Sequence, residues 1–500
     1  MITRRSVLIG FAGLPFGAAL LSSRAVAQSA SNQFDYYISP AGNDSNPGTS
    51  SQPWSINAIN TRQSTYAGKS VGLLDGTYDL SALPATAVGT KLAVASGTAN
   101  SPTVIQSVNP RAAILSCSTS AAGYVAMPMI GNGVNGVGAT GTPQYITLRA
   151  LTLRGGSASP VSFAGTNPKS CYGLVIDSCE IYNVVNPSGA INIGCICLGT
   201  GPMGALITNC LLHDCYTNGV ARSTHSNSSG VHDYANGTIV QNCTIYNCNN
   251  GIYQKNQHAT PPPDGMIIRN CYILAGSAGM GIALCGFNNA YGTSPPYAPL
   301  NVYNNVFENV ILYNNANDGV DGLQADLNFY NNTVYASTST NLGCWIPSAA
   351  AYAAGVRVSV YNNILVTAAM DSERGSLTLG PSYGAWRVCN YNCYPSSPAF
   401  GVSTADTTVP SSLISLAQWQ GVAGGPDRNS MTGNPGFVGP MAATAGPNQY
   451  QLGATSACRG AGRVGGTASG AAVDAGAWGG ATSIGHNFAA APMAPVLTVS

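Results

Sequence analysis

Charge is what this sequence has least of: 7% of its 500 residues are Asp, Glu, Lys or Arg, and four are lysine (Lys69, Lys91, Lys169 and Lys255). That scarcity argues against a helical protein, because long helices carry Glu, Lys and Arg on their wet faces. A formal net charge of +1 leaves no basic footprint for nucleic acid and no acidic tail. Long apolar runs are missing too. The run from Val7 to Leu21 is 15 residues, short of the roughly 20 that a spanning helix needs, so no stable membrane insertion is expected.

What abounds is Gly (60), Pro (30) and Tyr (25), with Asn, Ser and Thr at the polar positions, a mix suited to strands and turns. The opening "MITRRSVLIGFAGLPFGAALLSSRAVAQS" sets Arg4 and Arg5 before the apolar run and ends in Ala25-Val26-Ala27. This is similar to a twin-arginine export signal cut after Ala27, which predicts a periplasmic or secreted chain. Removing Arg4, Arg5 and Arg24 from 19 basic residues leaves 16 against 18 acidic ones. All 15 cysteines follow the signal; an oxidising compartment permits disulfides, but the odd count leaves a free thiol.

Seven segments repeat one pattern: "VIDSCEIYNVV" (175–185), "LITNCLLHDCY" (206–216), "IVQNCTIYNCN" (239–249), "IIRNCYILAGS" (267–277), "NVYNNVFENVI" (301–311), "NFYNNTVYAST" (328–338) and "SVYNNILVTAA" (359–369). One column holds Cys179, Cys210, Cys243, Cys271, Asn305, Asn332 and Asn363, at spacings of 31, 33, 28, 34, 27 and 31 residues. Such a period marks a repeat architecture. Alternating apolar positions give strands rather than helices. Stackable units of two or three short strands predict an all-β fold, a single-stranded right-handed parallel β-helix with capped ends. The column becomes a ladder of buried thiols continued as a ladder of amides. Cys195-x-Cys197 and Cys389-x3-Cys393 lack a second zinc half-site, and a local Cys389–Cys393 disulfide is left open. His213 falls in the column of Tyr182 and Tyr246, as a ladder residue.

"YYISPAGNDSNPGTSSQPWSINAIN" (36–60) and "VGLLDGTYDL" (71–80), with "NPGFVG" (434–439), "YQLGATSACRGAG" (450–462) and "AAVDAGAWGG" (471–480), closely resemble the ends of exported β-helix proteins of the pectate-lyase-like superfamily. The expected organisation is a signal (1–27), an N-terminal cap with first coils (28–110), central coils (111–394), and an irregular loop, closing coil and tail (395–500). That fold hosts lyases, hydrolases, epimerases and adhesins, so function rests on a site.

Between His213 and Arg269 lie four of the five histidines, with Asp214, Arg222, Asp233, Lys255 and Asp264. Aligning the Gly-Val and Gly-Ile pairs (Gly219-Val220, Gly251-Ile252, Gly281-Ile282, Gly319-Val320) turns Val220 and Ile252 inward and Ala221, Tyr253 and Lys255 outward, beside a loop over 221–237. The resemblance implies a polysaccharide lyase. In such lyases a Lys or Arg on the parallel sheet takes the proton α to a uronate carboxylate, often with bound calcium. Lys255 is then the base, Arg222 binds the carboxylate, and His225 or His232 is the acid, the latter oriented by Asp233. Tyr253 and His258 are candidate substrate contacts. "NNANDGVDGLQAD" (314–326) resembles the clustered-aspartate calcium turn of family nine polysaccharide lyases, with Asn317 where that family has Asp, then Asp318, Asp321 and, further on, Asp326. The alternatives are a non-catalytic glycan-binding or structural β-helix, and a polygalacturonase-like hydrolase, whose Gly-His-Gly and Arg-x-Lys motifs are absent.

Overall fold

The residue before each Cys or Asn of the repeated column, Ser178 in the first coil and Asn in the six that follow, sets the shape of a coil. Asn209, Asn242, Asn270, Asn304, Asn331 and Asn362 have φ between 52 and 60°, the left-handed region that Asn tolerates better than other side chains. One such residue swings the chain from one strand direction to the next. A second set, Asn183, Asp214, Asn247 and Asn309, turns the chain again after the following strand. One coil therefore runs Ile239–Gln241, turn, Thr244–Tyr246, turn, Asn250–Lys255.

In the computed structural model the described residues are 34–117, 128–132, 142–165, 171–187, 191–199, 201–221, 226–235, 237–255, 265–275, 282–288, 297–312, 325–336, 357–367, 377–379, 386–394, 399–402, 412–421, 425–439 and 446–477. Among them the coils stack into three parallel sheets. The first has 12 strands, from Tyr36–Ile38 to Trp386–Asn390; the second has 12, from Gly76–Asp79 to Met431–Thr432; the third has eight, from Leu92–Ala93 to Ile311–Leu312. No helix among these residues is long and apolar enough to cross a membrane. The right-handed parallel β-helix expected from the repeat is the observed fold.

In-register pairing turns sequence columns into stacks. In the first sheet Ile105, Leu148, Ile176, Ile207, Val240, Ile268, Val302, Phe329 and Val360 form one inward column. In the second, Leu115, Leu153, Ile181, Leu212, Ile245, Ile273, Phe307, Val334 and Leu365 form another. All are buried. Each such side chain stabilises the fold by about 1.5–3 kcal/mol relative to leaving it in water.

The Cys-to-Asn ladder lies between these two columns and has a single logic. The Cys210, Cys243 and Cys271 thiols approach the carbonyls of Ile176, Ile207 and Val240 one coil back, at 3.5, 3.8 and 3.6 Å. Asn305, Asn332 and Asn363 donate Nδ2 to the equivalent carbonyls of Ile268, Val302 and Phe329 at 2.9–3.0 Å. Their Oδ1 atoms also accept the backbone N–H of the coil before, as Asn305 does from Cys271 at 2.8 Å. Asn392 extends the ladder by one coil, and Asp427 ends it. Every described cysteine is a free thiol. The Cys389–Cys393 disulfide left open by the sequence is not formed, because the turn between them sends the two residues to different sheets.

Both ends are covered. At the N-terminal end two short helices, Ala58–Thr61 and Gln63–Tyr66, bury Ala58, Ile59 and Tyr66. Trp54 stacks on Tyr36 at 4.4 Å and donates Nε1 to Asn46. Gly48 has φ +83°, and a Cβ there would lie 2.5 Å from the Trp54 ring, which explains the glycine of "SNPGTSSQPW". Near the other end a hairpin of Ala399–Val402 and Ser412–Ser415 leads into the helix Leu416–Gln420, whose N-terminus carries a Ser415–Gln418 capping box. Phe400 and Trp419 stack there at 4.8 Å.

Candidate functional site

Of the charged window of the sequence, His232, Asp233 and Lys255 lie on the third sheet, His213 and Asp214 on the second and Arg269 on the first. The third-sheet strand Ser228–Asp233 lies inside the stretch 221–237 that the Gly-Val alignment assigns to a loop, and that expectation is corrected here. Val220 sits in a turn, its N–H donating to Thr217. Ten residues separate Thr217 from Ser228, against three between Tyr246 and Asn250 in the next coil. The longer crossing delays the strand, so the residue paired with Ile252 is Val231. Small residues let this strand close over the interior. Ser228 Oγ bonds Thr217 Oγ1 at 2.8 Å, and Asn249 Oδ1 accepts the Thr217 N–H at the same distance.

Val161, Ile196, Val231 and Ile252 face inward on this sheet, and the next residues, Ser162, Cys197, His232 and Tyr253, form the opposite column. The His232 ring stacks on Tyr253 at 4.8 Å and leans on Tyr234 at 4.9 Å. Tyr234 in turn receives a hydrogen bond from Asn192. His232 is 0% exposed and Tyr253 1%. The expected outward row is thus a buried aromatic–imidazole layer rather than an open platform for sugar. Burial pushes the Cys197 thiol in the same column up to about 12.

Asp233 does not orient His232. Neighbours in a strand point to opposite faces, and the Asp233 Oδ1 atom accepts from the Ala235 N–H and from Thr238 Oγ1, both at 3.1 Å. It ties the turn leaving the strand. Its Oδ2 finds no partner among the described residues, and full burial pushes the carboxyl up to about 7.

Lys255 ends the Asn250–Lys255 strand and pairs with Asn288 across a register shift that begins after Tyr253. Arg222, His225 and His258 lie outside the described residues, as do Asn317, Asp318 and Asp321. Among the described residues no group of three or more His, Cys, Asp or Glu could hold a metal ion. Asp326 is already engaged: it accepts the Arg357 N–H at 2.8 Å and pairs with Arg387 at 3.0 Å.

A second constellation, on the outer face of the second sheet, escaped the sequence reading. His213 is sandwiched between Tyr182 and Tyr246, with ring centroids 4.9 and 4.6 Å away and planes within 7°. Its Nδ1 lies 2.7 Å from Asp214 Oδ2 and its Nε2 3.4 Å from Glu180 Oε1. Burial alone would lower the imidazole's pKa, but the two carboxylates outweigh it and the pKa is raised. The hydrogen bond from His213 lowers the Glu180 pKa, with Arg111 adding a smaller effect. The signal was present: Glu180 occupies the column of Leu211, one strand below, and Asp214 stands where Asn183 and Asn247 make the turn.

The comparisons agree with this architecture. The family model for the right handed beta helix region matches residues 134–295. No curated protein matches the sequence. Among solved structures, the chain is similar to the pectate lyase Pel9A at a TM-score of 0.50 and 18% identity, over 88% of this chain and 95% of that one. It is also similar to a rhamnogalacturonan lyase (TM-score 0.41, 16% identity, 84% and 95% covered). A third is the family six alginate lyase AlyGC (TM-score 0.38, 12% identity, 80% and 56% covered).

Proposed function

We propose that this right-handed parallel β-helix of the pectate-lyase-like superfamily is a carbohydrate-active protein, a polysaccharide lyase that cleaves uronate-containing glycans by β-elimination. The observation that carries the reading is the use of scarce charge. Lys255 ends a third-sheet strand whose Tyr253 is braced by His232 on the strand before, and Arg222 and His225 fall in the crossing that enters that strand. The shared fold with a pectate lyase supports the fold alone; the chemistry rests on the residues.

In this reading neutral Lys255 accepts the proton α to the uronate carboxylate, and Arg222 neutralises that carboxylate as negative charge builds on it. The electron pair left behind forms the ring double bond as the glycosidic C–O bond breaks. The leaving oxygen takes a proton from an acid. His225 is the better candidate, since His232 is fully buried and suits the part of a brace. Asp233 stays outside the chemistry because its bonds serve a turn. Calcium at Asn317, Asp318 and Asp321 remains a proposal, and no step above uses it. Hydrolysis is less favoured, because Glu180 and Asp214 both bind one imidazole rather than flanking an open space.

The burial of His232 and Tyr253 favours one other reading, a glycan-binding or structural β-helix without catalysis. Ultraviolet absorbance of an unsaturated product, followed on a panel of uronate polysaccharides with and without chelator, separates the two. Growth that Lys255→Ala abolishes supports elimination. No growth on any uronate, with glycan binding retained, overturns it.

A further inference from the structure

Cys393 and Cys458 come from different parts of the chain and meet under its closing segment. Cys393 lies on a late strand of the second sheet, between Ile364 and Met431. Cys458 sits in a turn of the segment 446–477, which crosses that sheet's outer face without joining a ladder. Both are buried in one small apolar cluster with Ile364, Leu452 and Ala475. The two side chains lie within hydrogen-bond reach of each other in that cluster.

We infer that Cys393 and Cys458 form a disulfide under oxidising conditions, a covalent staple that fastens the closing segment to the end of the solenoid. Two thiols give up their protons and two electrons to an external disulfide, which leaves as two thiols, so the exchange balances without any group the protein lacks. The inference is independent of the lyase reading.

Geometry separates this pair from the other cysteines. Cys179, Cys210, Cys243 and Cys271 stack in the turns between in-register parallel strands, whose spacing of roughly 4.8 Å exceeds the ~3.8 Å between Cβ atoms that a disulfide prefers. Cys195, beside Cys215 and Cys248, lies inside the tube, its thiol directed at the carbonyls of Ile181 and His213. Cys458 meets Cys393 from outside the ladder, on a turn of the closing segment. That segment is held to the rest of the protein by Gly476 N–H to Asn362 O, Ala477 N–H to Thr333 Oγ1, an Asn362–Arg463 exchange, Gln449 Nε2 to Glu308, and backbone bonds of Gln449, Gln451 and Gly453 with residues 436–439.

The test treats the purified full chain with oxidised glutathione, denatures it in excess alkylating reagent and maps the peptides. The expected result is one link between the Cys393 and Cys458 peptides, with 13 of 15 thiols (15 less two) alkylated. Reducing the oxidised protein lowers its thermal midpoint by about 5 °C and leaves Cys458→Ala unmoved, with Cys393→Ala as the second variant if the first does not accumulate. Alkylation of both Cys393 and Cys458 after oxidation, or a link formed elsewhere in their place, overturns the inference; the wild-type map decides it whether or not either variant folds.

Discussion

Asp427→Asn tests whether the end of the amide ladder depends on a buried charge. Asp427 is 0% exposed and accepts five donors. Oδ2 takes Trp419 Nε1 and Tyr394 OH at 2.8 Å and the Cys389 thiol at 3.1 Å. Oδ1 takes Asn392 Nδ2 at 2.9 Å and the Ser430 hydroxyl. An asparagine has one acceptor oxygen where the carboxylate has two. If its NH₂ replaces Oδ2 it meets Trp419 Nε1, which only donates; if it replaces Oδ1 it meets Asn392 Nδ2, which also only donates. Either orientation strands a buried donor at about 1–3 kcal/mol, and the remaining bonds lose their charge-assisted strength, for a total near 3–5 kcal/mol. Coils of a solenoid contact only their neighbours, so the loss stays local. Hydrogen exchange should quicken roughly 100-fold or more in residues 386–394 and 412–421 while the coil at 239–246 is unchanged. Exchange within about threefold of wild type at the C-terminal end would refute the argument.

Three further outcomes follow from the same reasoning. Asn332→Ala removes two bonds accepted from Asn305 and two donated to Val302 O and Asn363 Oδ1. It should cost about 3–4 kcal/mol in thermal unfolding, and Asn332→Cys, which keeps a donor toward Val302 as the upper coils do, should cost less; equal losses would deny the ladder its amide logic. The Asp233 carboxyl is raised by burial to about 7 from 3.8, so the folded state holds the proton more tightly and wild-type stability falls as pH climbs through that interval. Asp233→Asn should flatten this slope and gain up to about 4 kcal/mol at pH 8 with little gain at pH 4, measured by urea unfolding. The His213 pKa is raised, so its contribution is present below the unfolded value and lost as pH rises through the folded one; that of Glu180, lowered, is lost as pH falls through its folded value. The bridge acts between those limits, and His213→Gln should lower stability there by about 1–3 kcal/mol while abolishing the loss on the alkaline side.

The fold was legible because a solenoid repeats its instructions. Cys179 through Asn363 named the ladder, and the alternation of Ile239, Gln241, Cys243 and Ile245 named the strands. The third sheet was harder to read. Its strands begin after turns of unequal length, and the Gly219-Val220 pair marks a turn rather than a strand, so the alignment leaves His232 in a loop when it packs on a strand between Tyr253 and Tyr234. The Glu180–His213–Asp214 bridge was missed for a different reason. Its members come from two coils and one turn, and only the stacking of strands brings Glu180, paired with Leu211, diagonally within reach of His213.

In a repeat protein the columns state the scaffold, so specific roles should appear where a column is broken. Glu308 stands between Leu274 and Tyr335 in its column, and there Tyr272 and, from the closing segment, Gln449 reach its carboxylate. Asp427 breaks the amide ladder at its last position and gathers five donors, three from the last coil and two, Trp419 and Ser430, from the segments that follow it. Asp233 breaks the apolar column of Phe163 and Leu198 and holds a turn. Each of these buried carboxylates takes bonds from local structure, Asp233 through Oδ1 alone. The Glu180–His213–Asp214 break is closed by its own bonds, which leaves His232 in a column of Ser162 and Cys197, and Lys255 at the close of the next strand. Both lie on the third sheet, and a lysine in a chain with four of them is costly to spend where Asn or Ser would serve. That elimination, more than any likeness of shape, directs the first substitution to Lys255.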